Sequence, residues 1–163
     1  MKQLLLPLLG AAAFIIIVGL IYNNKLPINP QQNNNSQTSN YQAKIGETQI
    51  DLEISDSQEE RAKGLSGRSS IDEGKGMLFV FDKKDTRPGF WMKGMKMPID
   101  IVWINDSKIV QIDSKVQPPK DGQKEYQTYF PNSDIDFVLE VASGYTQKAD
   151  IKVNDLVELP KGY

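Results

Sequence analysis

The sequence predicts an all-β fold, a compact sandwich or barrel with one or two short helices, preceded by a single N-terminal transmembrane helix. Three observations carry this expectation. Short apolar runs of strand length recur between residues 41 and 163, and prolines fall between them. No strand–helix alternation long enough for a parallel sheet separates those runs. Ahead of them lies an uncharged run from Leu4 to Tyr22, LLLPLLGAAAFIIIVGLIY.

That run of 19 residues spans about 28 Å as a helix, close to the roughly 30 Å hydrocarbon core of a bilayer. It exceeds the roughly 7–15 apolar residues of a secretory signal peptide, and no small-x-small cleavage site follows it. Residues 1–22 therefore read as an uncleaved signal anchor, with a cleaved signal as the other reading. Tyr22 would sit at the interface as an aromatic anchor. Lys2 and the terminal amine give a slight preference for a cytoplasmic N-terminus and a domain outside the membrane. Residues 23–40 hold 7 Asn, 3 Gln and 2 Pro. Such a stretch buries too little apolar surface to offset its ordering entropy, so a disordered tether is expected. As a coil it reaches about 23 Å.

Within the domain, Ile50, Leu52 and Ile54 alternate with Asp51 and Glu53, the period of a half-buried strand. Ser57-Gln58-Glu59-Glu60 has capping-box spacing and opens a short helix that Gly64 ends. Met77–Phe81 is a continuous apolar run, short enough for a core strand. Ile99–Ile104 and Lys108–Asp113 form a hairpin about Asn105-Asp106-Ser107. Phe137–Ala142 and Leu156–Leu159 supply two more strands, with a helical turn at Tyr145–Lys148. Pro88, Pro98, Pro118, Pro119 and Pro131 lie between strands, where a missing N–H does no harm.

Composition narrows the chemistry. The 163 residues include no cysteine and no histidine, which excludes disulfides, thiolate nucleophiles, His-based triads and His- or Cys-ligated zinc. The net charge is −2 and the pI about 5.2, which argues against nucleic acid as a partner. The domain itself carries 17 basic and all 21 acidic residues, a charge of −4, with the signs interspersed along the chain.

Three ordered segments go further. They are Gly64-Leu65-Ser66-Gly67-Arg68, Gly76-Met77-Leu78-Phe79-Val80-Phe81, and Phe90-Trp91-Met92-Lys93-Gly94-Met95-Lys96-Met97-Pro98-Ile99-Asp100. With Val138-Leu139-Glu140-Val141 and Gly144, the set resembles the domain-of-unknown-function family numbered 192, over roughly residues 44 to 160. In the best-known form of that family Asn-Thr follows the Trp-Met-Lys; here Gly94-Met95 stands instead. The resemblance implies a compact β-rich fold, often behind a signal or anchor segment. It implies no activity, substrate or cofactor.

Arg68 and Asp100 each follow apolar or Gly-rich segments. They read as a structural ion pair or a carboxylate cap of backbone N–H groups, or else as a pocket in which Arg68 holds an anion. Alternation places Glu140 opposite Leu139 and Val141, a solvated face by default, with acid–base work beside Asp100 as the sharper reading. Trp91 and Lys93 lie in a Gly/Lys-rich segment suited to a ligand groove, to which Phe90 and Trp103 could add. Met92, Met95 and Met97 have a spacing that suits Cu(I) but also suits core filling, with Met95 and Met97 on one face and Met92 on the other. Asp134 and Asp136 lack the loop of a calcium site.

The favoured function is a membrane-anchored, extracytoplasmic binding or interaction module. Its ligand site would comprise Arg68, Trp91, Lys93 and Asp100, with no cofactor. Its partners would be the bilayer, through the N-terminal helix, and an envelope ligand or membrane protein. The alternative is a small hydrolase or lyase acting on an envelope polymer through Asp100 and Glu140. A minor alternative is Cu(I) handling by the three methionines.

Overall fold

The structure, a computed structural model, describes residues 41–84 and 86–163. The expected anchor and tether lie outside the described residues. Among those residues, no helix is long and apolar enough to cross a membrane.

The domain is mostly β. In chain order it contains β1 (Gln42–Ile45), β2 (Thr48–Ser55), α1 (Gln58–Lys63), β3 (Lys75–Val80), β4 (Phe90–Trp91) and β5 (Ile99–Asn105). β6 (Lys108–Val116), β7 (Thr128–Tyr129), β8 (Phe137–Ala142), α2 (Tyr145–Lys148) and β9 (Val157–Glu158) follow. Seven strands form one sheet in the order β6-β5-β8-β3-β2-β1-β9, and β4 pairs with β7 in a separate ribbon.

The sheet curls into a half-barrel whose two edges meet at one end. The Ile109 N–H donates to the Asp155 carbonyl at 3.0 Å, the Asn154 N–H to the Ile109 carbonyl at 2.8 Å, and the Val157 N–H to the Ser107 carbonyl at 2.8 Å. Those bonds satisfy backbone groups that an open edge would leave for other chains. The expected choice between sandwich and barrel thus resolves toward a barrel-like curl, with the two short helices present. One pairing departs from expectation. β2 and β3 run parallel, from Asp51↔Lys75 to Ser55↔Phe79, because α1 and the loop after it carry the chain back to the same end.

The local elements follow the sequence. Asp106 and Ser107 take φ values of 47° and 57°, the left-handed pair that a two-residue hairpin requires. Ser57 accepts from the Glu60 N–H while Glu60 Oε2 accepts from the Ser57 N–H, so the capping box forms and α1 starts where expected.

The sheet has apolar residues on both faces at its centre. Ile50, Leu52, Leu78, Val102, Leu139 and Val141 belong to one cluster; Phe79, Ile99, Ile101, Trp103 and Val138 belong to another on the opposite face. That second face is covered by Leu65 and by Met92, Met95 and Met97 from the segments that follow α1 and β4. β5 is consequently buried at every residue but its last.

Candidate functional site

Those covering segments close incompletely over the second face, leaving a cavity of about 240 Å³ with an open mouth. Its floor comes from the sheet, with Phe79 on β3 and Glu140 on β8. One wall is the end of α1 and the turn after it, Arg61 to Ser66. The other wall is Pro88, Gly89, β4, Lys93 and Met95.

Glu140 reaches this floor by strand alternation. In β8, Leu139 and Val141 face the first cluster, so Val138 and Glu140 face the second. Its cross-strand partners are Met77 on β3 and Ile101 on β5, both in the apolar cluster. Glu140 is 6% exposed, and its carboxyl has no hydrogen-bond or ion-pair partner among the described residues. Burial alone pushes its pKa up to about 8, since no nearby charge compensates for lost hydration. The expected solvated face is therefore corrected: alternation assigned the right face, but loops cover it. At neutral pH the floor carries a neutral carboxyl, able to donate one hydrogen bond and accept another.

The walls are aromatic and the rim is cationic. Phe90 packs edge-to-face on Phe79 with centroids 5.0 Å apart and on Trp103 at 5.4 Å. Trp91 is 59% exposed, and its ring lies at the mouth unburied. Arg61 is tied down. Its Nη1 donates to the Val80 carbonyl at 2.8 Å and to the Asp56 carbonyl, and its Nη2 meets Asp82 at 3.2 Å. Lys63 and Lys93 also line the cavity, and neither ammonium has an ion-pair partner among the described residues.

Gly94 shapes the second wall. Its φ of +74° turns the chain between Lys93 and Met95, and the Met95 N–H closes the turn on the Met92 carbonyl at 3.1 Å. A Cβ at Gly94 would lie 2.2 Å from Ser66 Oγ, so Ser66 fills the space a side chain would take. The turn also moves Met92 out of strand alternation. All three methionines lie in one buried cluster, which corrects the expected split of Met92 from Met95 and Met97. They pack as core filler among Leu65, Phe79, Ile99 and Trp103.

The DUF192 family model, described as "Uncharacterized ACR", matches residues 41–159. The chain belongs to this family. The match covers every strand and helix described above and leaves out only the last four residues, which lie beyond β9. Two solved structures share the fold. One is a Sinorhizobium meliloti 1021 protein provisionally described as a transcription regulator, 21% identical, with a TM-score of 0.66 over 73% of this chain and 92% of that one. The other is a protein of unknown function from Novosphingobium aromaticivorans, 24% identical, with a TM-score of 0.65 over 72% of this chain and 83% of that one. At these identities the likeness shows the fold alone. No curated protein matches the chain.

Of the residues expected to form the site, the structure brings Trp91 and Lys93 together at the cavity and leaves Arg68 and Asp100 outside it. Arg68 forks onto Glu53, with Nη1–Oε1 and Nη2–Oε2 both at 2.6 Å. That contact, chiefly its hydrogen bonds, holds the Glu53 carboxyl below the usual range. Asp100 is wholly buried on the opposite face, where its carboxylate accepts from the N–H groups of Lys115, Gly144 and Thr146 and from the Thr146 hydroxyl. The Arg68–Asp100 pair does not form, while the backbone cap read for Asp100 does. Nor do Asp100 and Glu140 converge, because Asp100 pairs with Val141 and Glu140 with Ile101, so the sheet stands between the two carboxyls. A reaction needing both acids on one substrate has no site here. Asp134 and Asp136 are likewise engaged apart, Asp134 with Arg87 and Asp136 with the Asp106 N–H.

Phe90, read as a possible groove wall, does line the cavity, whereas Arg61, Lys63, Phe79 and Phe81 are among the cavity residues that sequence reasoning did not place in a site. Their signal was indirect, since the loop between α1 and β3 has no periodicity to show what it covers.

Proposed function

We propose that this DUF192 chain is a membrane-tethered binding module that presents the cavity over Glu140 to ligands outside the cytoplasm. One observation carries the binding reading: a buried carboxyl without a partner lies at the floor of an open, aromatic-walled cavity. An unpartnered polar group in such a place costs stability, and a ligand that hydrogen-bonds it recovers that cost. The apolar run from Leu4 to Tyr22 and the polar residues 23–40 support the tethered arrangement, with the N-terminus in the cytoplasm and the bilayer as its first partner. An envelope ligand, or an exposed group on a membrane-protein partner, then reaches the mouth beside Trp91.

Ligand-observed NMR of the full-length chain in a non-ionic detergent, against a varied set of fragment-sized compounds, tests the binding reading. Compounds that bind the wild type are expected to lose their saturation-transfer signal with a Trp91→Ala/Lys93→Ala double variant. A set whose signals are the same for both proteins overturns it.

A further inference from the structure

The walls and floor of this cavity also constrain the charge of what enters it, an inference that rests on the binding reading above. We propose that the cavity selects small organic carboxylates with an apolar body, whose anionic group is drawn in by Lys63 and Lys93 at the rim and hydrogen-bonded by the Glu140 carboxyl at the floor. The charged groups lining the cavity are Arg61 and Lys63 from α1, Lys93 from the loop after β4, and Glu140 from β8. Asp82 offsets Arg61, so the two lysines set the sign of the potential at the mouth. They attract an anion and repel an amine.

Glu140 completes the selection. A neutral carboxyl surrounded by apolar residues can donate its proton to an incoming carboxylate, forming a charge-assisted O–H···O⁻ bond. The same group would need to ionise to hold an ammonium, at the full cost of burying its charge. The body of the ligand meets Phe79, Phe90 and Trp91. A dry cavity of about 150 Å³ holds a benzene ring, so about 240 Å³ holds a ring with a one- or two-atom acid arm. The carboxylate can belong to a free acid or to the C-terminus of a peptide.

The chain has two tryptophans, and Trp103 is fully buried beneath Phe90, so Trp91 emission reports the mouth. The test titrates full-length protein in non-ionic detergent with four probes: phenylacetate, the neutral phenylacetamide, phenethylamine, and N-acetyl-Gly-Phe with a free C-terminus. Trp91→Phe serves as the signal control, and circular dichroism checks the fold of each variant.

The expected result is that phenylacetate quenches Trp91 at least tenfold more tightly than either phenylacetamide or phenethylamine. Its affinity should fall about tenfold from pH 7 to pH 9, as Glu140 loses its proton. Glu140→Gln, which keeps a donor without titrating, should bind phenylacetate with no such fall. Lys63→Gln/Lys93→Gln, both at the surface, should weaken phenylacetate and leave phenylacetamide unchanged. Tighter binding by the peptide than by phenylacetate assigns the carboxylate to a chain terminus, and the reverse assigns it to a free acid. If phenylacetamide or phenethylamine binds as tightly as phenylacetate, the carboxylate preference is overturned and the binding cavity stands. If none of the four quenches Trp91 at millimolar concentration, both fail.

Discussion

Asp100 accepts four hydrogen bonds at 2.6–3.1 Å while fully buried, three of them from backbone N–H groups. Lys115 lies in a bulge of β6, at φ 55°, and Asp100 ties that bulge to the start of α2. Asp100→Ala would strand all four donors, so it should lower the unfolding free energy by roughly 3–5 kcal/mol in urea denaturation. Arg68, by contrast, meets Glu53 with both side chains more than a third exposed. Solvent screens that pair, and Arg68→Ala should cost no more than about 1 kcal/mol in the same assay. Glu140 behaves as neither. Its folded pKa, about 8, lies above the ordinary 4.5. Between those values the native state holds a proton that the unfolded chain has released, so stability falls as pH rises through this window and levels off above it. The penalty is on the order of 3–5 kcal/mol at most. Urea titrations from pH 4 to pH 9 should show Glu140→Gln matching the wild type at the acid end and exceeding it at the alkaline end. Parallel curves would remove the buried-carboxyl account.

Among the elements, the short turns govern the cavity more than the strands do. Gly94 sits at φ +74°, a conformation that costs an L side chain about 1–2 kcal/mol, and Ser66 must also rotate away from a new Cβ. Gly94→Ala should lower the urea midpoint accordingly with an unchanged m-value, whereas Gly94→Asn should lose less, because Asn tolerates the left-handed region. Strand periodicity made β2, β5, β6 and β8 legible, and capping chemistry made α1 legible, because those signals are local. The two-residue strands β4 and β7 gave no such signal: each exists through one pairing, Phe90↔Tyr129 and Trp91↔Thr128, between segments nearly forty residues apart. The same non-local covering buried Glu140. Its alternation with Leu139 and Val141 was visible in the sequence, but the loops that shut water from its face were not.

For the whole molecule, the composition that excludes thiol and imidazole chemistry also supplies the means to test where the domain lies. With no natural cysteine, a single introduced thiol is the only target for a maleimide. Lys161 is exposed, beyond β9 and far along the chain from the apolar run. The proposed tethered arrangement would place it outside the membrane: as a helix the 19-residue apolar run would cross a bilayer once, and as a coil the next 18 residues would reach about 23 Å. Lys161→Cys should therefore react with a membrane-impermeant maleimide in intact cells, or in spheroplasts where an outer membrane blocks access, and react no further after lysis. Lys2→Cys, which the proposed arrangement puts on the cytoplasmic side of the run, should react only after lysis. If labelling of the Lys161→Cys variant also requires lysis, the domain is cytoplasmic. The cavity over Glu140 would then be offered to cytoplasmic carboxylates, and the envelope partner would fall while the site itself stood.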